Sequence, residues 1–296
     1  MVSFLPIPPF VPGMEFRLFA AVIFTAATAY FDVFNKKWVP NYLIYAFAIC
    51  AVALNFIFYD PIVTFQALAF GIGIFILTYP LYKMGQLGGA DVFVLASIAA
   101  AVPYFQKPLF AAEQLVQYPF ILSVLVPTSL LFIFHMLIRF IPHVSGQMRQ
   151  GKLKITFGKI VGPALLLVSF SFFIYVISTM PLALPFSYVF VMSFLFISLI
   201  FFSFFKEEIK DSMIEMVSPS RLVEEDVIAL EKMDSALVKK LSLKPLLEAK
   251  EIATLKKARL KGVPVYTGMP FFLPYLLAGL LITILFGDLL YYIVAL

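Results

Sequence analysis

The feature that most constrains this chain is a succession of long apolar runs, each close to the length that crosses a lipid bilayer. A membrane-spanning helix needs about 20 apolar residues, with a range of about 17–25. Eight runs approach this requirement, so the sequence predicts an all-α polytopic membrane protein with about eight transmembrane helices. If two neighbouring runs merge, the number is seven. The predicted helices are 17–34, 41–58, 63–82, 91–105, 118–140, 160–180, 184–205 and 271–295.

The composition supports a membrane protein and gives no sign of a metal centre. Hydrophobic residues make up 62% of the chain and charged residues 13%, against about 45–50% and about 25% in a soluble domain. The single cysteine, Cys50, cannot form an internal disulfide or a two-cysteine metal motif. His135 and His143 have no ligand-like spacing to each other or to a carboxylate, so we expect no metal and no other cofactor.

Basic residues gather in every second loop between the predicted helices. The loops after the first, third and fifth helices carry them, whereas the intervening short loops carry little besides Lys107. Because basic loops stay in the cytoplasm, we expect the N-terminus outside and the odd-numbered helices running inward. The basic residues of the three loops are Lys36, Lys37, Lys83, Arg139, Arg149, Lys152, Lys154 and Lys159.

One sizeable polar segment, residues 206–268, holds 12 of the 22 basic residues, and the predicted orientation places it in the cytoplasm. We therefore predict a transmembrane domain over 1–205, a cytoplasmic soluble domain over 206–268 and a C-terminal transmembrane helix over 269–296. Within the polar segment, amphipathic patterns over Leu222–Ile228 and Glu248–Lys261 predict helices.

Two aspartates lie at the predicted cytoplasmic ends of apolar helices, where an ionisable group is costly and points to function. Asp32 is near the end of the first helix, and Asp91 opens the fourth helix after three glycines in five residues. Each aspartate also has a structural interpretation. Asp91 suits the N-cap of its helix, and Asp32 has the spacing of a helical ion pair with Lys36.

Two carboxylates at one face of the membrane could act together on a peptide bond. Carboxylates that come close cannot both ionise cheaply, so one of them keeps a proton. The ionised group can then take a proton from water while the protonated group polarises the peptide carbonyl. Glycines before Asp91 would let a substrate backbone approach closely. The sequence shows no competing Ser–His–acid or Cys–His arrangement.

The residues around both aspartates resemble a known family. Gly88-Gly89-Ala90-Asp91 resembles the GxGD motif of membrane aspartyl proteases, with Ala90 in place of the second glycine. That variant is typical of the archaeal type IV prepilin and preflagellin (archaellin) peptidases. Asp32, with Pro40-Asn41 after it, resembles the first catalytic aspartate of the same family. The stretch from Val263 to Pro274 is similar to the C-terminal region of the archaeal branch.

This resemblance implies an aspartic endopeptidase of the cell membrane, with several membrane passes and an active site that faces the cytoplasm. Such enzymes remove basic leader peptides from prepilin-like or archaellin precursors without a metal. The implied partners are these precursors and the lipid bilayer, without nucleic acid. Bacterial relatives often carry a four-cysteine zinc segment and methylate the new terminus, so we expect no methyltransferase activity in a chain with one cysteine. The implied catalytic pair is Asp32 and Asp91, and the motif backbone is Gly88, Gly89 and Ala90.

A basic leader needs acidic contacts, and the candidate leader-binding residues are Glu224, Glu225 and Asp226 in the polar segment. The precursor stays open between archaellin, an adhesion pilin and a sugar-binding pseudopilin. The sequence also leaves open which aspartate is the general base and what the oligomeric state is.

Two other functions remain open at this point. A transporter could use Asp32 and Asp91 for proton or cation coupling. Transporters, however, place such groups near the bilayer midplane and often within two repeated halves. Here the aspartates are predicted near one interface and the sequence shows no convincing repeat. The third possibility is a non-enzymatic assembly factor that docks through the polar segment.

Overall fold

The fold is known from a computed structural model, which is mostly helical. It describes residues 10–35, 38–105, 107–111, 118–151, 153, 157–179, 186–258, 260–268 and 270–295. The first seven helices are α1 (Met14–Phe34), α2 (Asn41–Ile57), α3 (Pro61–Lys83), α4 (Gly89–Ala101), α5 (Phe120–Arg149), α6 (Phe157–Thr179) and α7 (Phe186–Phe204). The later elements are α8 (Lys206–Ser212), β1 (Ile214–Val217), α9 (Ser235–Leu241), α10 (Ala249–Lys257), β2 (Val263–Tyr266), α11 (Leu273–Phe286) and α12 (Leu289–Ala295).

The described residues form a helix at each of the eight predicted positions. Five helices are long and apolar enough to cross a membrane by length and composition: Met14–Phe34, Pro61–Lys83, Phe120–Arg149, Phe157–Val176 and Ser187–Phe204. The apolar helices α2, α4 and α11 are shorter. These helices support a multi-pass membrane protein, and the number of eight or seven transmembrane helices stays a prediction.

The predicted single helix over 271–295 is divided into α11 and α12. Gly287 has a φ of 84° and ends α11, although its N–H still bonds the carbonyl of Thr283 at 2.8 Å. The Asp288 carboxylate accepts a hydrogen bond from the N–H of Leu290 at 3.0 Å, at the start of α12. Apolar character therefore runs through 271–295, but the helical backbone does not, since glycine readily adopts a positive φ.

The chain divides into two compact units, and the first comprises Met1–Thr128 and Met213–Gly287. In this unit the central helix is α4, which packs against α1, α2 and α3. It has 13 residues, or about 20 Å at 1.5 Å per residue, and most of its side chains are buried. A helix that is apolar on all sides is stable inside a protein, and α1, α2 and α3 provide that environment.

Small residues bring helix backbones of the first unit close together. A β-carbon added to Gly71 on α3 would lie 2.7 Å from the β-carbon of Ala100 on α4. A β-carbon added to Gly279 on α11 would lie 2.8 Å from the backbone nitrogen of Thr128 on α5. Membrane helices associate closely where such small residues face each other.

A buried arginine ties the start of α1 to the ends of α2 and α4. Arg17 is fully buried, and its guanidinium donates to carbonyls at the ends of α2 and α4, to the side chain of Asn55 and to the carbonyl of Pro12. The side-chain amide of Asn55 extends this network by donating to the carbonyl of Ala100 at 2.8 Å. The acceptors of Arg17 are Pro12 O (2.9 Å), Leu54 O (3.3 Å), Asn55 Oδ1 (2.8 Å) and Ala101 O (2.9 Å).

The polar segment contains a two-stranded antiparallel sheet, which the all-α prediction did not include. Strands β1 and β2 pair from Ile214 with Tyr266 to Val217 with Val263. Helix α10 lies within the stretch predicted as helical over Glu248–Lys261. A separate apolar core holds this part of the first unit together, and it includes Leu222, Ile228, Leu243, Leu247, Ile252, Leu255, Val263 and Val265.

The stretch Leu222–Ile228 is an irregular loop, so the predicted helix there is wrong. Glu225 adopts a φ of 71°, which a right-handed helix does not contain. The Asp226 carboxylate accepts from the N–H of Val223 at 2.9 Å, and Val227 and Ile228 form isolated bridges to Leu246 and Val265. Val227 and Ile228 are buried where they form these bridges, not on the face of a helix.

This loop packs directly against the glycine-rich loop that follows α3. Gly85 has a φ of +72°, and an added β-carbon would lie 2.9 Å from Cγ1 of Val227. The side chain of Val227 is itself buried. The polar segment and the membrane helices of the first unit are therefore in contact at Gly85.

The second unit comprises Ser129–Ser212 and Asp288–Leu296. In it α6 packs against α7, with the rings of Phe170 and Phe196 stacked at 3.9 Å between centroids. The hydroxyl of Ser187 donates to the carbonyl of Ile293 at 2.9 Å, and Lys159 forms an ion pair with Glu208. Domain boundaries at 1–205, 206–268 and 269–296 stay a prediction.

Replacement of Arg17 by methionine should destabilise the protein, because the carbonyls at the ends of α2 and α4 lose their buried donor. We expect a loss of at least about 2 kcal/mol, since hydrogen bonds to charged groups contribute about 1.5–3 kcal/mol each. Thermal unfolding in detergent measures this loss. Arg139→Met is the matched control because Arg139 is exposed. Equal unfolding temperatures for the two variants would contradict the structural role of Arg17.

Replacement of Gly85 by alanine should also destabilise the protein and loosen the polar segment. The left-handed backbone costs a residue with a β-carbon about 1–2 kcal/mol, and the methyl group would overlap Val227. Unfolding temperature and the rate of trypsin cleavage in the polar segment are the two readouts. Gly73→Ala is the control, since nothing lies within 4 Å of its added β-carbon. Equal behaviour of both variants would rule out the contact.

Candidate active site

Asp91 is held by the turn that begins α4. The backbone of Gly88 is extended, with φ −72° and ψ 153°, and its N–H donates to Oδ2 of Asp91 at 3.0 Å. The carboxylate thus satisfies one of the amide groups that a helix start leaves without a partner. It lies in the first turn of α4. Asp91 is half-buried.

Asp32 lies in the last turn of α1, and its side chain is 8% exposed. The helix ends two residues later, at Phe34. Lys36, which the sequence suggests as an ion-pair partner for Asp32, lies outside the described residues. Asp32 is therefore a carboxylate withdrawn from solvent at the end of an apolar helix, where its charge is costly without a partner.

The two aspartates lie at the same end of a packed helix pair. Helices α1 and α4 are in contact, and the bond from Arg17 to Ala101 joins the start of α1 to the end of α4, so they run antiparallel. From that bond, Asp32 is about four turns along α1, or roughly 22 Å at 1.5 Å per residue. Asp91 is about three turns back along α4, or roughly 15 Å. Both therefore lie at the end opposite Arg17.

The glycine motif before Asp91 lies beneath the loop of the polar segment. A β-carbon added to Gly89 would lie 3.1 Å from Oε1 of Glu225 and 3.3 Å from Cε2 of Tyr82. Glu225 Oε1 also accepts a hydrogen bond from the Tyr82 hydroxyl at 3.2 Å. A glycine at position 89 thus permits a close approach that a larger residue would hinder.

A second contact joins the end of α3 to the polar segment. The ammonium group of Lys83 forms an ion pair with Oε1 of Glu248 at 3.4 Å. The same group lies 5.5 Å from the ring centroid of Tyr82 and 5.8 Å from that of Tyr79, within the range of cation–π attraction. Both partners of the ion pair are about half exposed. Because exposed ion pairs add little to the free energy of unfolding, this contact mainly positions the polar segment against the end of α3.

The three candidate leader-binding residues have different environments. Glu225 contacts the motif, as described above. Asp226 is occupied by the N–H of Val223, and burial raises the pKa of its carboxyl although that hydrogen bond acts in the opposite direction. Glu224 is exposed. The structure thus brings one of the three carboxylates, Glu225, to the glycine motif.

Sequence reasoning missed the residues that connect this motif to the polar segment. Tyr82 and Val227 gave no signal, since an aromatic residue at a helix end and a valine in a short apolar run are common. The positive φ of Gly85 was foreseeable from the glycine-rich stretch, but its contact with Val227 was not. Among the described residues, no three His, Cys, Asp or Glu side chains form a group that could hold a metal ion.

The remaining titratable candidates lie elsewhere. A side-chain contact of 2.8 Å joins His143 to Gln147 one turn later on α5. His135 is on the same helix. Cys50 is a half-buried free thiol on α2. The aspartates at one end of the α1–α4 pair are therefore the residues whose placement suits acid–base chemistry.

The comparison with protein families gives one match. A model described as the type IV leader peptidase family matches residues 19–139, whereas no curated protein and no solved structure matches the chain. The match runs from α1 into α5, and it includes Asp32, Asp91 and the glycine motif. The family is one of aspartic-type proteases that act on prepilin-like precursors. Residues 19–139 are therefore similar to the type IV leader peptidase family, which supports the family that the motif resemblance predicted, whereas the archaeal branch stays a prediction.

Proposed function

We propose that this chain is a membrane aspartic endopeptidase that removes basic leader peptides from type IV prepilin-like or archaellin precursors at the cytoplasmic face of the cell membrane. Asp32 and Asp91 form its catalytic pair. The observation that carries the proposal is their common position at one end of the α1–α4 pair, inside the matched segment 19–139. The distribution of basic residues supports a cytoplasmic position for this end.

The proposed reaction is hydrolysis of one peptide bond by the two carboxylates and a water molecule. The ionised aspartate takes a proton from water as the water oxygen attacks the peptide carbonyl carbon. The protonated aspartate donates a hydrogen bond to the carbonyl oxygen. When the carbon–nitrogen bond breaks, the leaving amine receives a proton from the pair. Because coupled carboxylates titrate jointly, the base and the acid are not assigned to individual residues.

The local structure supports each part of this reaction. Asp32 is buried, whereas the carboxylate of Asp91 accepts a hydrogen bond from the N–H of Gly88 at the start of α4. Two carboxylates in such different surroundings suit a pair in which one is protonated and the other ionised. Gly88 and Gly89 leave the backbone before Asp91 uncovered by side chains of their own, so a substrate strand can approach.

Single replacements of the two aspartates by asparagine test the proposal. Each change keeps the side-chain shape but removes the group that transfers a proton. We expect cleavage of a membrane-embedded precursor with a basic leader to fall about 100-fold or more in Asp32→Asn and in Asp91→Asn. Asp60→Asn is the matched control, since Asp60 caps α3 and asparagine caps a helix equally well.

Three outcomes are informative. Loss of cleavage in both variants, with unchanged unfolding temperature, supports the two-carboxylate mechanism. Cleavage that persists in both variants places the catalytic site elsewhere. If the wild type cuts no such precursor but moves protons or cations across liposomes, the protein is a transporter.

The acidic residues Glu224, Glu225 and Asp226 are the proposed contacts for the basic leader. Replacing all three by lysine should weaken cleavage of a basic leader, because attraction becomes repulsion. The effect should shrink as salt rises from low to physiological concentration, since salt screens exposed charges. A precursor whose leader lysines and arginines are glutamine is the control, and its cleavage should change little. Unchanged cleavage of the basic leader would remove this role.

A further inference from the structure

We propose that Glu225 determines specificity by binding one cationic side chain of the substrate, within about four residues of the bond that is cut. This inference rests on the proposed peptidase function and deepens it. A single carboxylate, Glu225, would bind the part of the leader that lies nearest the bond that is cut. This residue belongs to the polar segment, whereas the proposed catalytic aspartates are on α1 and α4.

The position of Glu225 relative to Asp91 carries the inference. Oε1 of Glu225 lies 3.1 Å from the β-carbon position of Gly89, and Oδ2 of Asp91 lies 3.1 Å from that of Gly88. Because adjacent Cα atoms are about 3.8 Å apart and each Cα–Cβ bond adds about 1.5 Å, the two carboxylates are no more than about 13 Å from each other. An extended peptide covers about 3.3–3.6 Å per residue. A substrate that is cut at Asp91 and runs toward Glu225 therefore reaches it within about four residues.

The charge of Glu225 is not neutralised by a neighbouring cation in the described part of the chain. Its described partner is the Tyr82 hydroxyl, which is neutral and occupies one lone pair of Oε1. Lys83, the adjacent basic residue, is paired with Glu248. Glu225 is also exposed, so it can receive a lysine or arginine side chain from outside.

The surroundings of Glu225 hold this carboxylate at the motif. Val227 packs against Gly85 on one side of it, and the Tyr82 hydroxyl fixes its oxygen on the other. Asp226 is turned to the N–H of Val223, and burial raises the pKa of its carboxyl. The three atoms nearest to the β-carbon position of Gly89 belong to Glu225 and Tyr82, and none belongs to Asp226 or Glu224. Glu225 is thus the carboxylate of the loop that a substrate at the motif would meet.

The test compares Glu225→Gln with Glu215→Gln, a change at an exposed carboxylate on β1, on two matched precursors. One precursor carries a lysine as the basic residue nearest the cut bond, and the other carries methionine at that position. Glutamine keeps an oxygen that can accept from Tyr82, so the loop should stay in place and only the charge is lost. We expect Glu225→Gln to raise KM for the lysine precursor about 10-fold with little change in kcat. The methionine precursor should be cut equally well by both variants and by the wild type.

A charge exchange gives a second, independent readout. Glu225→Lys should cut the lysine precursor poorly and should cut a precursor with glutamate at that position better than the wild type does. Unfolding temperature and trypsin resistance of the polar segment verify that the variants fold.

Four results would overturn the inference. If Glu225→Gln lowers kcat equally for both precursors, Glu225 only positions the motif. If Glu215→Gln has the same effect on KM, the polar segment acts through its combined charge and not through Glu225. If the wild type cuts and Glu225→Gln changes nothing, this inference fails and the proposed peptidase function stands. If the wild type cuts neither precursor, the proposed function fails, and the role of Glu225 fails with it.

Discussion

The arrangement of the first unit depends on the hydrogen bonds of one buried guanidinium. Arg17 has no access to solvent, and in an apolar environment a charged side chain and the last carbonyls of a helix are each costly without partners. Arg17 satisfies both requirements at once, because the ends of α2 and α4 supply the oxygens that its donors need. The result is a fixed antiparallel relation between α1 and α4. That relation places Asp32 and Asp91 at the opposite end.

Close contact of backbones positions α4 at both of its ends. Gly71 lets α3 approach Ala100 at the end that Arg17 bonds, whereas Gly85 and Gly89 let the polar segment approach the loop before α4. In each case the absence of a side chain is what permits the contact. Gly85 and Gly89 thus admit Val227 and Glu225 from a segment more than a hundred residues later in the chain. In the proposed function, Gly88 and Gly89 also leave room for a substrate strand at Asp91.

Local patterns in the sequence predicted the features that depend on local physics. Apolar runs of suitable length predicted the helices, because hydrophobic length is a property of each run alone. Asp91 was foreseen as a helix-start residue, and its bond to the N–H of Gly88 agrees with that interpretation. The same reasoning failed for Leu222–Ile228, where the amphipathic pattern predicted a helix. Those apolar residues pair with Leu246 and Val265 instead, and no pattern within seven residues can indicate a distant strand partner. It failed again at Gly287, where one glycine interrupts an otherwise continuous apolar run.

The sequence by itself determined the class of protein, the approximate helices, the family and the two aspartates as candidate catalytic residues. These conclusions follow from the composition, the length of the apolar runs and a short motif, and each of these is a property of the sequence itself. Only the tertiary structure decided that Arg17 bonds the ends of α2 and α4, that Gly85 meets Val227, and that Glu225 lies on Gly89. The physical reason is that these contacts join residues far apart in sequence. They depend on hydrogen-bond geometry and on the space left by glycines, and neither is encoded in any local pattern.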